Sequence, residues 1–118
     1  MSWIDTPIIE KLSNYLDLAA FRQTLIASNL ANVDTPGYRT RDIDFEGEMR
    51  RAEERLGSHA APPRAFEVAG LLERPDGNNV SLDRESMLLA QTQLQFRLGV
   101  ELLRQEFQSI STAIKEGS

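Results

Sequence analysis

The sequence predicts a mainly α fold in which long N- and C-terminal helices pair as a coiled coil and enclose a partly extended, loop-rich central segment. Three observations carry that reading. Apolar residues recur in alternating steps of three and four at both ends of the chain, and Pro, Gly and opposed charges crowd into the middle. At 118 residues there is room for one modest core and not for a second. The expected division is 1–35 for the first helix, 36–80 for a turn, a short extended segment and a connector, and 81–118 for the second helix, together one discontinuous domain.

The first helix is read from Ile9, Leu12, Leu16, Ala19, Gln23, Ile26, Leu30 and Val33, seven apolar positions out of eight at a mean spacing of 3.5. Thr6 followed by Pro7 supplies a cap and a first-turn proline, and Thr35, Pro36 and Gly37 stop the helix. A second stripe, Leu18, Phe21 and Leu25, lies beside the seam and asks for a further neighbour.

The second helix repeats the pattern with Leu89, Gln93, Phe96, Val100, Leu103, Phe107, Ile110 and Ile114. Each seam holds a single Gln, and a lone polar residue in such a seam costs stability while restricting register and partner choice. Leu94, Leu98 and Leu102 form an extra apolar edge. Ser81 or Asp83 can cap the start, and Lys115 sits well against the carbonyl end of the helix dipole. Each helix is expected to run roughly 27 to 34 residues, or about 40 to 50 Å at the α-helical rise. Burying each seam Leu or Ile is worth roughly 1.5 to 3 kcal/mol, which outweighs local propensity. A hairpin alone covers one side of each helix, so the remaining apolar edges imply other subunits.

Between the helices, "RDIDFE" (Arg41 to Glu46) alternates acid with apolar residue, a short helix is expected around Glu46 to Leu56, and "GSHAAPPRAF" and "RPDGNN" are loop chemistry. Pro62, Pro63, Pro75 and Gly77 oppose a long continuous element there, and the region is expected to be weakly ordered in the isolated chain.

Composition excludes several kinds of chemistry. A net charge of −5 with no basic stripe disfavours nucleic acid. The eleven arginines are interleaved with acids, as in "EGEMRRAEER", which reads as a self-compensating solvated face. No cysteine is present, so disulfides, thiolate catalysis and Cys-ligated zinc are out. The first residues, "MSWIDTPIIEKL", have neither the basic region nor the apolar core of a cleaved secretory signal. Asp42, Asp44, Glu46, Gly47 and Glu53 fit the spacing of an EF-hand calcium loop, but Arg50 and Arg51 bring positive charge into it and Pro36-Gly37 denies it an entering helix. An exposed acidic strand is the better expectation. His59 has no second His or Cys to complete a metal site, and Asn79-Val80-Ser81 is a sequon without a secretory context. With no phosphate-binding or nucleophile motif, the chain is expected to be no enzyme and to use no cofactor and no small-molecule substrate.

What remains unusual is Asn29 and Asn32, one turn apart, ahead of Thr35-Pro36-Gly37-Tyr38. One such asparagine is ordinary near a helix C-terminus. Two suggest an amide face that hydrogen bonds to another chain and sets register. The stretch "SNLANVDTPGYR" resembles the N-terminal signature of bacterial flagellar axial proteins, the rod, hook and hook-associated family, at Asn29, Leu30, Ala31, Asn32, Thr35, Pro36, Gly37 and Tyr38. The short length, the "RDIDFE" continuation and the run from Asn78 to Leu103 are most similar to a proximal rod subunit of that family.

The resemblance implies a structural subunit that assembles through its terminal helices into a tubular wall. It also implies export from the cytoplasm, unfolded and without a cleaved signal, through the flagellar type III apparatus to the periplasmic rod. Its partners would be copies of itself, other rod and basal-body proteins and the export apparatus, with the eight signature residues as subunit contacts. The competing expectation is a stand-alone helical-hairpin adaptor or chaperone-like binding module, which needs only the seams.

Overall fold

A computed structural model describes residues 7–55 and 62–117. The element order is α1 (Pro7–Ala31), β1 (Arg41–Ile43), α2 (Phe45–Glu54), β2 (Ala65–Glu67) and α3 (Leu82–Glu116). The molecule is a rod of 68 × 26 × 18 Å, built on the antiparallel pairing of α1 with α3. Thr6, Leu56 and His59 lie outside the described residues.

α1 ends at Ala31, four residues before the expected stop, because side chains take over its terminal carbonyls. The Asn32 amide donates to the Ser28 carbonyl at 2.8 Å, and the Asn78 amide donates to the carbonyls of Asn32 and Thr35 at 2.9 Å each. Val33 is therefore a turn residue and not the last rung of a helical seam. Thr35-Pro36-Gly37-Tyr38 then forms a hydrogen-bonded turn, Tyr38 N–H to Thr35 carbonyl at 3.2 Å, with Gly37 at φ +76°. Proline second and a left-handed glycine third is the requirement of a type II turn.

β1 and β2 pair antiparallel with Asp42 opposite Phe66. β2 falls within a segment read as loop, since three residues after Pro62-Pro63 carry no alternation long enough to recognise. α2 starts one residue before expectation, at an N-cap where the Asp44 carboxylate accepts from Gly47 N–H at 3.2 Å. Glu48, buried on α2, pairs with Arg51 and receives both the Nε–H and the backbone N–H of Arg64, so it ties the entry of β2 to α2. α3 is capped by Ser81, whose hydroxyl accepts from Arg84 N–H at 3.2 Å.

The core is narrow: Leu12, Leu18, Ala19, Ile26, Ile43, Val80 and Leu88 are its buried apolar members. On α1 the expected seam faces α3 at Leu12, Ala19 and Ile26, with Ile9, Leu16 and Leu30 half-buried, but Gln23 is exposed. Leu18 is buried and Phe21 and Leu25 are half-buried on the side where α2 and β1 pack, so the neighbour of that second stripe is the chain's own middle segment.

The face that α3 turns to α1 differs from the expected one. Glu85, Leu88, Thr92 and Gly99 are buried, with Gln95 half-buried between them, a line one residue out of phase with Leu89, Gln93, Phe96 and Val100. One residue is a rotation of about 100°, which moves the expected seam to the flank. Leu89, Val100, Leu103 and Ile110 stay half-buried there, Gln93 is exposed, and Phe96, Phe107 and Ile114 are 37%, 44% and 48% exposed. The physical reason is close approach: a Cβ on Gly99 would lie 2.8 Å from Leu16 Cδ2 and 3.1 Å from Tyr15 Cδ2, so any larger residue there requires those side chains to shift. Tyr15, its hydroxyl pKa raised by burial, also packs edge-on against Phe45 of α2 with ring centroids 5.4 Å apart.

Two outcomes check this account. Gly99→Val forces a branched side chain into the Leu16 and Tyr15 contact and lowers unfolding stability by about 1 to 3 kcal/mol in urea denaturation. Burial pushes the Glu48 carboxyl up, but hydrogen bonds and charge from Arg51 and Arg64 outweigh it and hold its pKa below the ordinary value. A carboxylate depressed in the folded state contributes stability that is complete above its unfolded pKa and is lost as pH falls through its folded one. Glu48→Gln therefore flattens the decline of thermal stability in acid below the usual Glu range; an unchanged acid limb would refute that role.

Candidate functional site

The signature residues converge where the two long helices meet the β-ribbon. Asn29 is 1% exposed, and all four hydrogen-bonding positions of its carboxamide are filled. Its amide donates to the Arg41 carbonyl and to Glu85 Oε1, each at 2.9 Å. Its oxygen accepts from Arg41 N–H at 3.0 Å and from the Tyr38 hydroxyl at 3.1 Å. One side chain thus occupies both backbone groups on the outer edge of β1, as a neighbouring strand would.

Behind Asn29 lies a buried ionic cluster. The second oxygen of Glu85 accepts from the Thr40 hydroxyl at 2.9 Å and from Arg84 at 3.1 Å. Arg84 also donates to Asp42 at 3.2 Å, and Arg22 of α1 grips Asp42 with two bonds of 2.9 Å. Two carboxylates and two guanidiniums balance, which is the condition under which buried charge is tolerable. Asp42 is accordingly buried, so the expected exposed acidic strand is corrected: Asp42 and Ile43 point to opposite faces of β1 and both faces are covered there. Asp44 caps α2, and the remainder of the calcium-like spacing is helix, so those carboxylates do not converge.

The second half of the site is a clasp of two turns. Arg74-Pro75-Asp76-Gly77 closes with a 2.8 Å bond from Gly77 N–H to the Arg74 carbonyl, and Gly37 N–H donates to the Asp76 carbonyl at 2.9 Å. Gly77, at φ +87°, packs where an added Cβ would sit 3.4 Å from Gly37 Cα. Arg74 donates to the Val33 carbonyl, and Asn79 accepts from Thr40 N–H at 2.7 Å while its own N–H reaches the Tyr38 carbonyl. The connector is thus fastened at its end.

The expected site residues therefore separate. Within the single chain, every hydrogen-bonding position of the Asn29 carboxamide is filled internally. Tyr38 is directed inward to Asn29 and Ser28. Asn32 is half-buried, its oxygen accepting from the Thr35 hydroxyl at 3.0 Å, and Ala31, Thr35, Pro36 and Gly37 are exposed. Leu30 is half-buried in the hairpin. Sequence reasoning missed Arg22, Thr40, Asn78, Asn79, Arg84 and Glu85. Continuing the expected seam back from Leu89 by its next step of three lands on Ser86, so the seam's spacing carries no signal for Glu85.

A helical hairpin locked by an internal polar cluster, with apolar side chains left over on its outside, is the build of a structural protein. The comparisons give that class a family. The flagella basal body rod proteins match at residues 16–39, the stretch from mid-α1 through the signature turn. The chain is 34% identical to flagellar basal body rod protein FlgB of Salmonella typhimurium, over 87% of this chain and 89% of that protein. It is 32% identical to FlgB of Escherichia coli K12 over 87% and 89%, and 30% identical to FlgB of Borrelia hermsii over 91% and 95%. The chain belongs to the FlgB family of flagellar basal body rod proteins.

Asn29→Ala strands the Arg41 backbone and one Glu85 oxygen inside the protein and is expected to cost about 2 to 4 kcal/mol, as more than one buried group loses its partner. Asn32→Ala removes one half-buried hydrogen bond to the C-terminal carbonyls of α1 and is expected to cost about 0.5 to 1 kcal/mol. Equal losses for the two variants in chemical denaturation would contradict the division of roles.

Proposed function

We propose that this chain is a structural subunit of the flagellar basal body rod, built into the tubular axis through its two terminal helices. One observation carries the reading. α1 covers a single side of α3, yet Met87, Leu94 and Leu98 on another side are 63%, 65% and 52% exposed, and Phe96 and Phe107 on a third side are also open. A free-standing hairpin adaptor has no use for that much uncovered apolar surface, whereas a subunit in a packed wall does. The names of its relatives supply which wall. Partners are then further copies and other rod and basal-body proteins, with no nucleic acid and no small-molecule substrate.

Export through the flagellar type III apparatus to the periplasmic rod belongs to the same proposal. A chain that crosses unfolded is helped by modest stability. The α1 to α3 interface supplies it: the buried Thr92 hydroxyl and Gln95 amide oxygen find no hydrogen-bond partner among the described residues. The half-buried Asn32 and the exposed Thr35 and Pro36 of the signature are proposed as contacts with the next subunit, at the point where the chain turns away from α1.

Quantitative mass spectrometry of detergent-purified basal bodies tests the proposal. The chain is expected in a few copies per rod. Its absence from otherwise intact rods would overturn the assignment and favour a free-standing binding hairpin.

A further inference from the structure

We infer that β2 is a docking edge, and that an extended segment of a different rod or basal-body protein adds to it as a third, antiparallel strand whose residues run basic, apolar, any, acidic. This rests on reading the chain as a rod subunit and adds a surface away from the long helices, together with the kind of chain that covers it.

Every second residue of a two-stranded antiparallel ribbon turns its backbone N–H and C=O away from the partner strand. The Val68 N–H donates to the Thr40 carbonyl at 3.1 Å, so the next pairs, Arg41 with Glu67 and Ile43 with Ala65, carry the outward groups. On β1 these are taken up from within the chain. Asn29 fills both positions of Arg41, and the Asp42 carboxylate accepts from Ile43 N–H at 2.8 Å. On β2, no group among the described residues bonds the outward N–H or C=O of Ala65 or Glu67. The ribbon is therefore closed along one edge and open along the other, and the open edge offers main-chain donors and acceptors at the spacing of a strand.

Side chains state what the added strand must carry. Phe66 is 48% exposed between Ala65 and Glu67. Its own backbone groups face β1, so the residue opposite it on an added strand forms the closer, non-hydrogen-bonded kind of pair, and an apolar side chain there covers the ring. Glu67 is exposed, and Arg64 leaves 72% of its side chain open although it bonds Glu48 at 3.3 Å. A base opposite Glu67 and an acid opposite Arg64 complement both charges, and together they fix the antiparallel direction. The positions opposite Ala65 and Glu67 must supply an N–H, which excludes proline there.

A second β2 does not meet these terms. Only residues with outward groups can exchange hydrogen bonds, so two antiparallel β2 edges pair about Ala65, Phe66 or Glu67. Pairing about Glu67 sets two carboxylates against each other, pairing about Phe66 puts Glu67 against Ala65, and pairing about Ala65 puts Glu67 against Pro63. None gives Glu67 a base. Each would also close as a two-fold dimer, because the β1 edge is already occupied and copies could not continue through it.

The full chain with the photoreactive amino acid p-benzoylphenylalanine in place of Phe66 is expressed instead of the wild type, basal bodies are purified and irradiated, and cross-linked peptides are sequenced by mass spectrometry. Cross-links to one segment of a different basal-body protein are expected, at an apolar residue preceded by a base and followed two residues later by an acid. Glu67→Pro removes an outward N–H that no ladder bond uses, so the isolated chain keeps its helicity and thermal transition while incorporation into basal bodies falls at least about tenfold. Glu67→Ala keeps that N–H and is expected to lose less than about threefold.

Cross-links only to this chain itself, in the same or a second copy, cross-links scattered over unrelated segments, or none in basal bodies that contain the chain would overturn the docking edge. Equal incorporation of Glu67→Pro and Glu67→Ala would do the same. Where Glu67→Pro unfolds the isolated chain, Ala65→Pro removes the other outward N–H and is judged by the same outcomes, and where neither proline variant folds the cross-linking decides alone. Mass spectrometry of wild-type basal bodies separates the two failures: a missing chain overturns the rod assignment and the docking with it, whereas a chain present without the expected cross-link overturns the docking alone.

Discussion

The carboxamide of Asn29 is the constraint on which the rest of the structure depends. A two-stranded ribbon of three residues per strand is too small to persist on its own merits. Here its outer edge is closed by a side chain from α1 that donates to the Arg41 carbonyl and accepts from the Arg41 N–H. The same amide holds Glu85 in the first turn of α3, so one group connects both long helices and the ribbon between them. Around it every buried charge has an opposite charge beside it, with Arg22 and Arg84 against Asp42 and Glu85. The arrangement is cooperative in the sense that losing one member leaves the others desolvated and unpaired.

That polar junction also sets the rotation of α3. With Glu85 turned inward to Asn29, the positions that follow it toward α1 are Leu88, Thr92 and Gly99 in order, and the bulkier Phe96 and Val100 are carried to the flank. Gly99 stands opposite Leu16 at the place where the helices approach most closely. Apart from Leu88, the line that α3 turns to α1 is therefore small or polar, while most of the large apolar side chains of α3 are left on its flanks. An internal hydrogen-bond geometry at one end of the hairpin decides which surface the whole length of the rod presents.

Much of this was legible in the sequence and some was not. The two long helices, a cap at Ser81 or Asp83, the helix stop at Thr35-Pro36-Gly37 and the short helix after Asp44 follow from spacing and local chemistry, which act over a few residues. The rotation of α3 does not, because periodicity identifies several apolar lines on one helix and says nothing about which of them a partner covers. β2 was hidden because it exists only as the complement of β1. The spacing of Asn29 and Asn32 marks them as unusual, but a sequence cannot reveal that Arg41, Tyr38 and Glu85 satisfy Asn29 within the chain. Asn78 and Asn79 looked like turn residues, and their long-range bonds to Asn32, Thr35 and Thr40 depend on the fold that they help to close.

The two asparagines of the signature thus divide a task that their spacing suggested they share. Asn29, fully saturated inside, fixes the shape of the subunit; Asn32, one turn on and half-exposed, ends α1 beside the exposed Thr35 and Pro36. The division matters for a protein meant to assemble. Polar groups satisfied within one chain hold the hairpin in a single geometry, so a neighbour meets preformed apolar faces and does not have to order them at the moment of contact. Among the described residues, the buried polar atoms without a hydrogen-bond partner are the Thr92 hydroxyl and Gln95 amide oxygen in the middle of the α1 to α3 interface, the Asn79 amide nitrogen beside the junction and the Arg51 Nε on α2. A subunit built this way can be easy to open along its length and still return to the one rotation of α3 that its neighbours require.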